Sequence, residues 1–193
     1  MTLRRGLAVA GFTTLAAILG WLLFVALPRW YGTPVTSTAP PADAPAEPGD
    51  GRKIKTRLFY VSEDGTRLTP VENEVPYAER TVEQARHIVE AQLAEPAAPL
   101  VSAVPAGTTL RALFVTDQGA AFVDLSAAVS SAHPGGSLNE LLTIYTFVQA
   151  LTSNLPGITS VQLLVDGREV DTLAGHVDIK RPLARADAWV SEK

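Results

Sequence analysis

The sequence contains no cysteine among its 193 residues. This absence excludes disulfides, thiolate zinc sites, a cysteine nucleophile and attachment of a lipid through a thioether. The sequence also has no phosphate-binding loop, no dinucleotide-binding glycine motif and no Gly-x-Ser-x-Gly nucleophile elbow. Common signatures of nucleotide-dependent enzymes and serine hydrolases are therefore missing.

An excess of positive charge is missing as well. Lys and Arg number 16 against 20 Asp and Glu, which gives a net charge of −4 at pH 7. Charges of both signs are interspersed, as on an ordinary solvated surface. Because nucleic-acid binding needs a basic footprint, we expect no nucleic-acid partner.

A long uncharged run lies near the start, at residues 6–27. Its 22 residues suffice for a helix that crosses a membrane, at about 1.5 Å per residue. Arg4 and Arg5 precede the run, so the positive-inside rule places residues 1–5 in the cytoplasm and the rest of the chain outside. A cleaved signal peptide is the alternative, but its apolar core is shorter, about 7–15 residues. We predict a single-pass signal anchor in the cytoplasmic membrane.

Residues 28–53 are predicted to form a linker rich in proline and alanine. Five prolines lie between residues 32 and 50, where Val35 is the one large apolar side chain. Such a segment cannot build a core, and its prolines favour extended polyproline II backbone. We expect a semi-stiff tether between the membrane and the folded domain.

The remaining residues, 54–193, are predicted to form one α+β domain. Three pairs of apolar strands turn on Asp-Gly or Asp-x-Gly, and two amphipathic helices alternate with them. A capping box is predicted at the start of each helix, from Thr81 with Gln84 and from Ser137 with Glu140. The layout of hairpin, helix, hairpin, helix, hairpin favours a single mixed or antiparallel sheet with two α-helices covering one face.

Few residues are candidates for catalysis or metal binding. His176 and Asp178 stand two residues apart, so in an extended segment they would share one face and could form a His-Asp couple or two metal ligands. A structural hydrogen bond that fixes the end of the domain is the alternative, and we favour it because no third metal ligand is signalled. His87 is expected on the exposed side of its helix, and His133 lies in a loop without an acidic neighbour in sequence. No catalytic, metal-binding or cofactor-binding residue is assigned, and no cofactor is expected.

Several short motifs follow one another along the predicted domain. They are residues 103–110 (Ala-Val-Pro-Ala-Gly-Thr-Thr-Leu), 123–126 (Val-Asp-Leu-Ser), 136–142 (Gly-Ser-Leu-Asn-Glu-Leu-Leu), 157–167 (from Gly-Ile-Thr to Val-Asp-Gly) and 175–178 (Gly-His-Val-Asp). Their order and spacing resemble the GerMN domain of spore-germination and sporulation proteins, also found in lipoproteins of the LpqB type. The resemblance implies an α/β domain without established catalytic activity, in envelope proteins that act in assembly or interaction.

The predicted anchor, tether and domain together favour a non-enzymatic envelope protein, connected with sporulation, germination or the cell wall. It would bind another envelope protein or peptidoglycan, and it would contact the membrane through residues 6–27. Two alternatives stay open. One is a hydrolase that processes the cell wall with His176 and Asp178. The other is a sensor that binds a small ligand between the loop 97–109 and the turn at Gly135 and Gly136.

Overall fold

The computed structural model describes residues 51–191, together with Trp21, which is helical and exposed. Residues 1–5, the rest of the predicted anchor at 6–27 and most of the linker at 28–53 lie outside the described residues, so these assignments stay predictions. Within the described part of the chain, no helix combines the length and the apolar character that crossing a bilayer requires.

Residues 51–191 form a mixed α+β fold whose long elements follow the predicted order. The elements are β1 (Lys53–Val61), β2 (Leu68–Pro76), α1 (Thr81–Leu93), β3 (Leu110–Val115), β4 (Ala120–Leu125), α2 (Ala128–Ser131), α3 (Ser137–Asn154), β5 (Ser160–Val165), β6 (Arg168–Glu169), β7 (Leu183–Ala184) and a 3₁₀ helix (Asp187–Trp189). The short helix α2 and the 3₁₀ helix were not predicted.

The described strands form two sheets, so the prediction of a single sheet is wrong. β1 and β2 make an antiparallel ribbon of their own, with Val61 opposite Leu68 and Lys53 opposite Pro76. The other strands make a separate five-stranded sheet. The physical reason lies at the outer edges of the ribbon, where side chains and the chain end take the place of neighbouring strands.

The outer edge of β1 pairs with amide side chains from both long helices. Gln92 of α1 accepts a hydrogen bond from the N–H of Phe59 at 2.8 Å and donates one to the carbonyl of Phe59 at 2.9 Å. Asn154, at the end of α3, makes the same two bonds with the backbone of Arg57, both at 2.8 Å. Each amide therefore supplies the donor and the acceptor that a paired strand would supply.

The outer edge of β2 is closed by proline and by the chain end. Pro70 and Pro76 have no N–H to offer a further strand. The carbonyl of Leu68 accepts from the N–H of Ser191 at 2.8 Å, and the N–H of Glu74 is taken by a neighbouring side chain. These features reduce the number of N–H groups that the edge of β2 offers to another chain.

In the five-stranded sheet, β3, β4, β5 and β6 follow one another, and β7 pairs with the start of β5. β4 and β5 are parallel because α3 connects them as a crossover. The third predicted hairpin is present but short. Asp166 and Gly167 both have positive φ, as a tight two-residue turn requires, and β6 contains only Arg168 and Glu169. Beyond β6 the chain leaves the sheet and returns as β7.

The core is built around α3, which packs against α1, β1 and β5. Four apolar residues of this helix are buried: Leu142, Ile144, Val148 and Leu151. Leu138, in the first turn, is 39% exposed. Polar side chains of the same helix are buried as well: Glu140, Thr143, Thr146 and Gln149. The helix is therefore enclosed on most sides rather than along one stripe.

Neither predicted capping box forms. Arg80 and Gly136 occupy the N-cap positions of α1 and α3, and neither helix has a side-chain cap. Gln84 is buried and bonds the N–H of Ala78 and the carbonyl of Pro76. Glu140 also points inward. Both side chains bond backbone groups of other segments and are therefore not available to cap the first turn of their own helix.

Candidate functional site at the start of α3

The carboxylate of Glu140 lies in the first turn of α3 and is fully buried. Its Oε1 accepts from the N–H of Leu173 at 2.8 Å and from that of Ala174 at 3.0 Å. Its Oε2 accepts from the N–H of His176 at 2.9 Å. The segment between β6 and β7, residues 170–182, therefore curls around one carboxylate, and we call residues 172–177 the tail loop.

These contacts decide the protonation state of Glu140. Burial by itself raises the pKa of this carboxyl, but the backbone N–H groups of the tail loop outweigh it, so the pKa lies below its ordinary value of 4.5. The carboxylate is thus ionised at neutral pH, with both oxygens occupied. Such a group can hold a loop in place, and its burial separates it from any substrate in solution.

His176 and Asp178 are not brought together, since no hydrogen bond or ion pair joins them. The ring Nδ1 of His176 lies 3.3 Å from Oε2 of Glu140, and the side chain is 43% exposed. The carboxylate of Asp178 instead accepts from the N–H of Lys180 at 3.0 Å. The predicted pair is therefore divided between a contact with α3 and a local turn.

His133 connects the loop before α3 to the helix itself. Its Nδ1 accepts from the N–H of Gly135 at 2.9 Å, and its Nε2 lies 3.1 Å from Oγ1 of Thr143. The hydroxyl of Thr143 in turn donates to the carbonyl of Ala103, at 2.6 Å. The sequence placed no partner near His133, because these partners are backbone groups and a hydroxyl rather than a neighbouring acid.

A second polar cluster lies at the carboxyl ends of β4 and β5. Arg111 reaches Oδ2 of Asp124 with Nε at 3.3 Å and Oδ1 of Asp166 with Nη1 at 3.1 Å. The other oxygen of Asp124 accepts from the N–H of Gly167 at 2.7 Å. The cluster fixes the tight turn after β5 to the middle of the sheet. Both carboxylates are held by the same guanidinium, so neither is placed as a free general acid or base.

The candidate small-ligand position, between the loop 97–109 and the glycine turn, is bridged by the contact of Thr143 with Ala103. Among the residues that the structure describes, no group of three His, Cys, Asp or Glu side chains is arranged to hold a metal ion. His87, expected on the exposed side of α1, is half-buried, and its Nδ1 lies 3.0 Å from the carbonyl of Pro76.

Comparison with known families identifies this fold. A family model named Germane, described as sporulation and spore germination, matches residues 57–171, which is more than half of the chain. The chain belongs to this family. The predicted GerMN resemblance is thereby confirmed, and the Germane match ends just before the tail loop that encloses Glu140. No curated protein sequence matches the chain.

Solved structures share the Germane fold at low sequence identity. A candidate lipoprotein from Clostridium perfringens is 22% identical, with a TM-score of 0.51 over 70% of this chain and 89% of that one. The first GerMN domain of the sporulation protein GerM from Bacillus subtilis is 18% identical, with a TM-score of 0.53 over 68% and 98%. The tandem GerMN domains of the same protein are also 18% identical, with a TM-score of 0.54 over 69% and 47%. This chain thus spans about half of the tandem protein.

The sequence assigned Glu140 to a cap and missed its role. One signal was available, because Glu140 stands four residues before Ile144 and seven before Phe147, on the side of the helix that is most buried. A charged residue in line with buried apolar residues needs a partner of its own. The location of that partner in the tail loop, more than 30 residues away, has no local signal.

Proposed function

We propose that this protein is a membrane-anchored, non-enzymatic envelope protein whose Germane domain binds another envelope protein or peptidoglycan outside the cytoplasmic membrane. Residues 6–27 would hold the chain in the membrane, and the linker would keep the domain at a distance from it. The family description makes sporulation and germination the first processes in which to look for the partner. Similarity to a candidate lipoprotein supports a place in the envelope.

The observation that carries the non-enzymatic part is the occupied state of Glu140. A general base needs a lone pair within reach of a substrate proton. Glu140 is fully buried, and both of its oxygens accept backbone N–H groups. His176 faces this carboxylate. An arrangement of this kind supports a rigid binding module better than a reaction centre.

Cross-linking of the full chain in its own membranes, followed by purification, tests the binding. The expected result is enrichment of one envelope protein, or pelleting of the chain with purified peptidoglycan. The control chain carries residues 1–50 joined to an unrelated soluble domain, so that anchor and linker are retained. Equal recovery of all partners with the control chain, and no pelleting above it, would contradict the proposal.

The hydrolase alternative is tested with His176→Ala and Asp178→Ala, which remove the two residues that this alternative makes catalytic. A structural role predicts that neither variant changes peptidoglycan binding, and that His176→Ala costs below about 1 kcal/mol, because its contact with Glu140 is half-exposed. Loss of a measurable wall-degrading activity in His176→Ala, with the thermal unfolding unchanged, would instead favour the enzyme.

A further inference from the structure

His133 is a junction of three segments. It accepts the N–H of Gly135 in its own loop and bonds Thr143 of α3, and through this hydroxyl it is connected to Ala103 of the loop 97–109. His133 is half-buried, and Thr143 is fully buried. The ring therefore takes part in holding the start of the longest described helix against two loops.

The geometry fixes the protonation of the ring. A backbone N–H can only donate, so Nδ1 of His133 must be without a proton in order to accept from Gly135. The single ring proton then lies on Nε2 and is donated to Thr143. Thr143 uses its own proton for the carbonyl of Ala103, the nearer of its two acceptors. Only the neutral imidazole satisfies this chain of bonds.

We propose that His133 is a pH-operated latch, which when neutral connects the N–H of Gly135 to α3 through Thr143 and when protonated releases that N–H. A proton on Nδ1 would face the N–H of Gly135, so two donors would meet and the 2.9 Å contact would be lost. Gly135 and Gly136 have φ of 80° and 88°, a backbone that favours glycine, and there is room at Gly135, since a Cβ there would meet nothing within 4 Å. The latch goes beyond the binding function and does not depend on it.

The electrostatic surroundings agree with a ring that is neutral at neutral pH. Burial lowers the pKa of His133 below its ordinary value of 6.5. Glu140 and a hydrogen bond to the backbone of Asn139 act in the opposite direction, and His176 adds to the lowering of the pKa. These are the titratable groups that face the ring, since the loop 97–109 contains no ionisable side chain.

The sign of the effect follows from this direction. Because the folded pKa lies below the unfolded one, the latch contributes its full stability above the ordinary value of 6.5. It loses that stability as the pH falls through the lower folded pKa. Acidification should therefore free the N–H of Gly135. A second side chain, Asn139, donates to the carbonyl of Gly135 at 2.9 Å and does not titrate, so the effect is local rather than global.

Amide hydrogen exchange of the full chain in lipid nanodiscs, measured from about pH 7.5 to pH 5, tests the latch. The protection factor of Gly135, corrected for the intrinsic exchange rate, should fall about ten-fold as His133 titrates. The titration itself can be followed by NMR with labelled histidine, because the chain has only three histidines.

Two variants make the result decisive. In His133→Asn the side-chain oxygen can still accept from the N–H of Gly135 but does not titrate, so the protection factor should be independent of pH. In the matched control His87→Asn, which removes a half-buried histidine of α1, the pH dependence should stay as in the wild type. The latch is wrong if Gly135 keeps its protection while His133 titrates in the wild type. It is equally wrong if His133→Asn shows the same pH dependence.

Discussion

Each end of α3 bonds the backbone of a segment that is distant in sequence, one end through a charged side chain and the other through a neutral one. At its start, the charged Glu140 gathers N–H groups of the tail loop. At its end, the neutral Asn154 pairs with both the N–H and the carbonyl of Arg57, as Gln92 of α1 does with Phe59. The helix α3 is thus bonded to the tail loop at its start and to β1 at its end.

The difference follows from what each backbone segment presents. A curled loop can turn consecutive N–H groups toward one point, and a carboxylate, which only accepts, is the matching group. A strand edge presents the N–H and the carbonyl of the same residue, and an amide, which both donates and accepts, matches that pair. We therefore expect the stabilisation by Glu140 to depend on charge and pH, and the stabilisation by the amides of Asn154 and Gln92 to be independent of them.

The largest effect is expected from Glu140→Gln. The new NH₂ group would face an N–H donor and the charge would be lost, so the free energy of unfolding should fall by about 3 kcal/mol. Urea unfolding of residues 51–193, followed by circular dichroism, measures this loss. The control is Glu90→Gln, an exposed acid on α1, which should change the stability little. Equal effects of the two substitutions would contradict the role of Glu140.

Gln92→Leu should come next, with a loss of about 2 kcal/mol, because the N–H and carbonyl of Phe59 are left buried without partners. The same unfolding measurement applies. Gln118→Leu, in the exposed turn between β3 and β4, is the matched control. If Gln92→Leu were neutral, the edge of β1 would not depend on its amide partners.

Acidification should distinguish the contribution of Glu140 to stability from that of Gln92. The pKa of Glu140 is lowered in the fold, so its contribution is complete above its ordinary value of 4.5 and is lost as the pH falls through the folded pKa. The wild type and Gln92→Leu should lose stability more steeply below that value than Glu140→Gln. Ser62 and Thr66 hold the pKa of Asp64 at about 2, which gives all three proteins the same background. If the free energy of unfolding fell equally steeply with pH in all three proteins, the charge of Glu140 would not stabilise the fold.

The smallest effect is expected from Asn154→Ala, at about 1 kcal/mol, because its bonds to Arg57 are exposed to water. The loss should be the same at neutral and acidic pH. A loss of stability in Asn154→Ala that changed markedly with pH would contradict the distinction between a charged contact at one end of α3 and a neutral contact at the other.

Local patterns predicted the long elements, because apolar periodicity and Asp-Gly turns are short-range signals. The number of sheets was not predictable in this way, since it depends on which group pairs with the edge of β1. Gln92 and Asn154 are ordinary polar helix residues until Phe59 and Arg57 lie beside them. The candidate site was located only in part. His176 was singled out, but its partner Glu140 was hidden by a plausible cap.

The contacts of Glu140 also bear on where the folding unit ends. The Germane match stops at residue 171, whereas the N–H groups that stabilise the Glu140 carboxylate come from residues 173–176, and the N–H of Ser191 bonds the carbonyl of Leu68. A protein shortened at the family boundary would contain a buried anion without its donors. Residues 172–191 therefore supply contacts that the family core lacks, and we expect a chain that ends at residue 171 to be less stable than one that continues to residue 191.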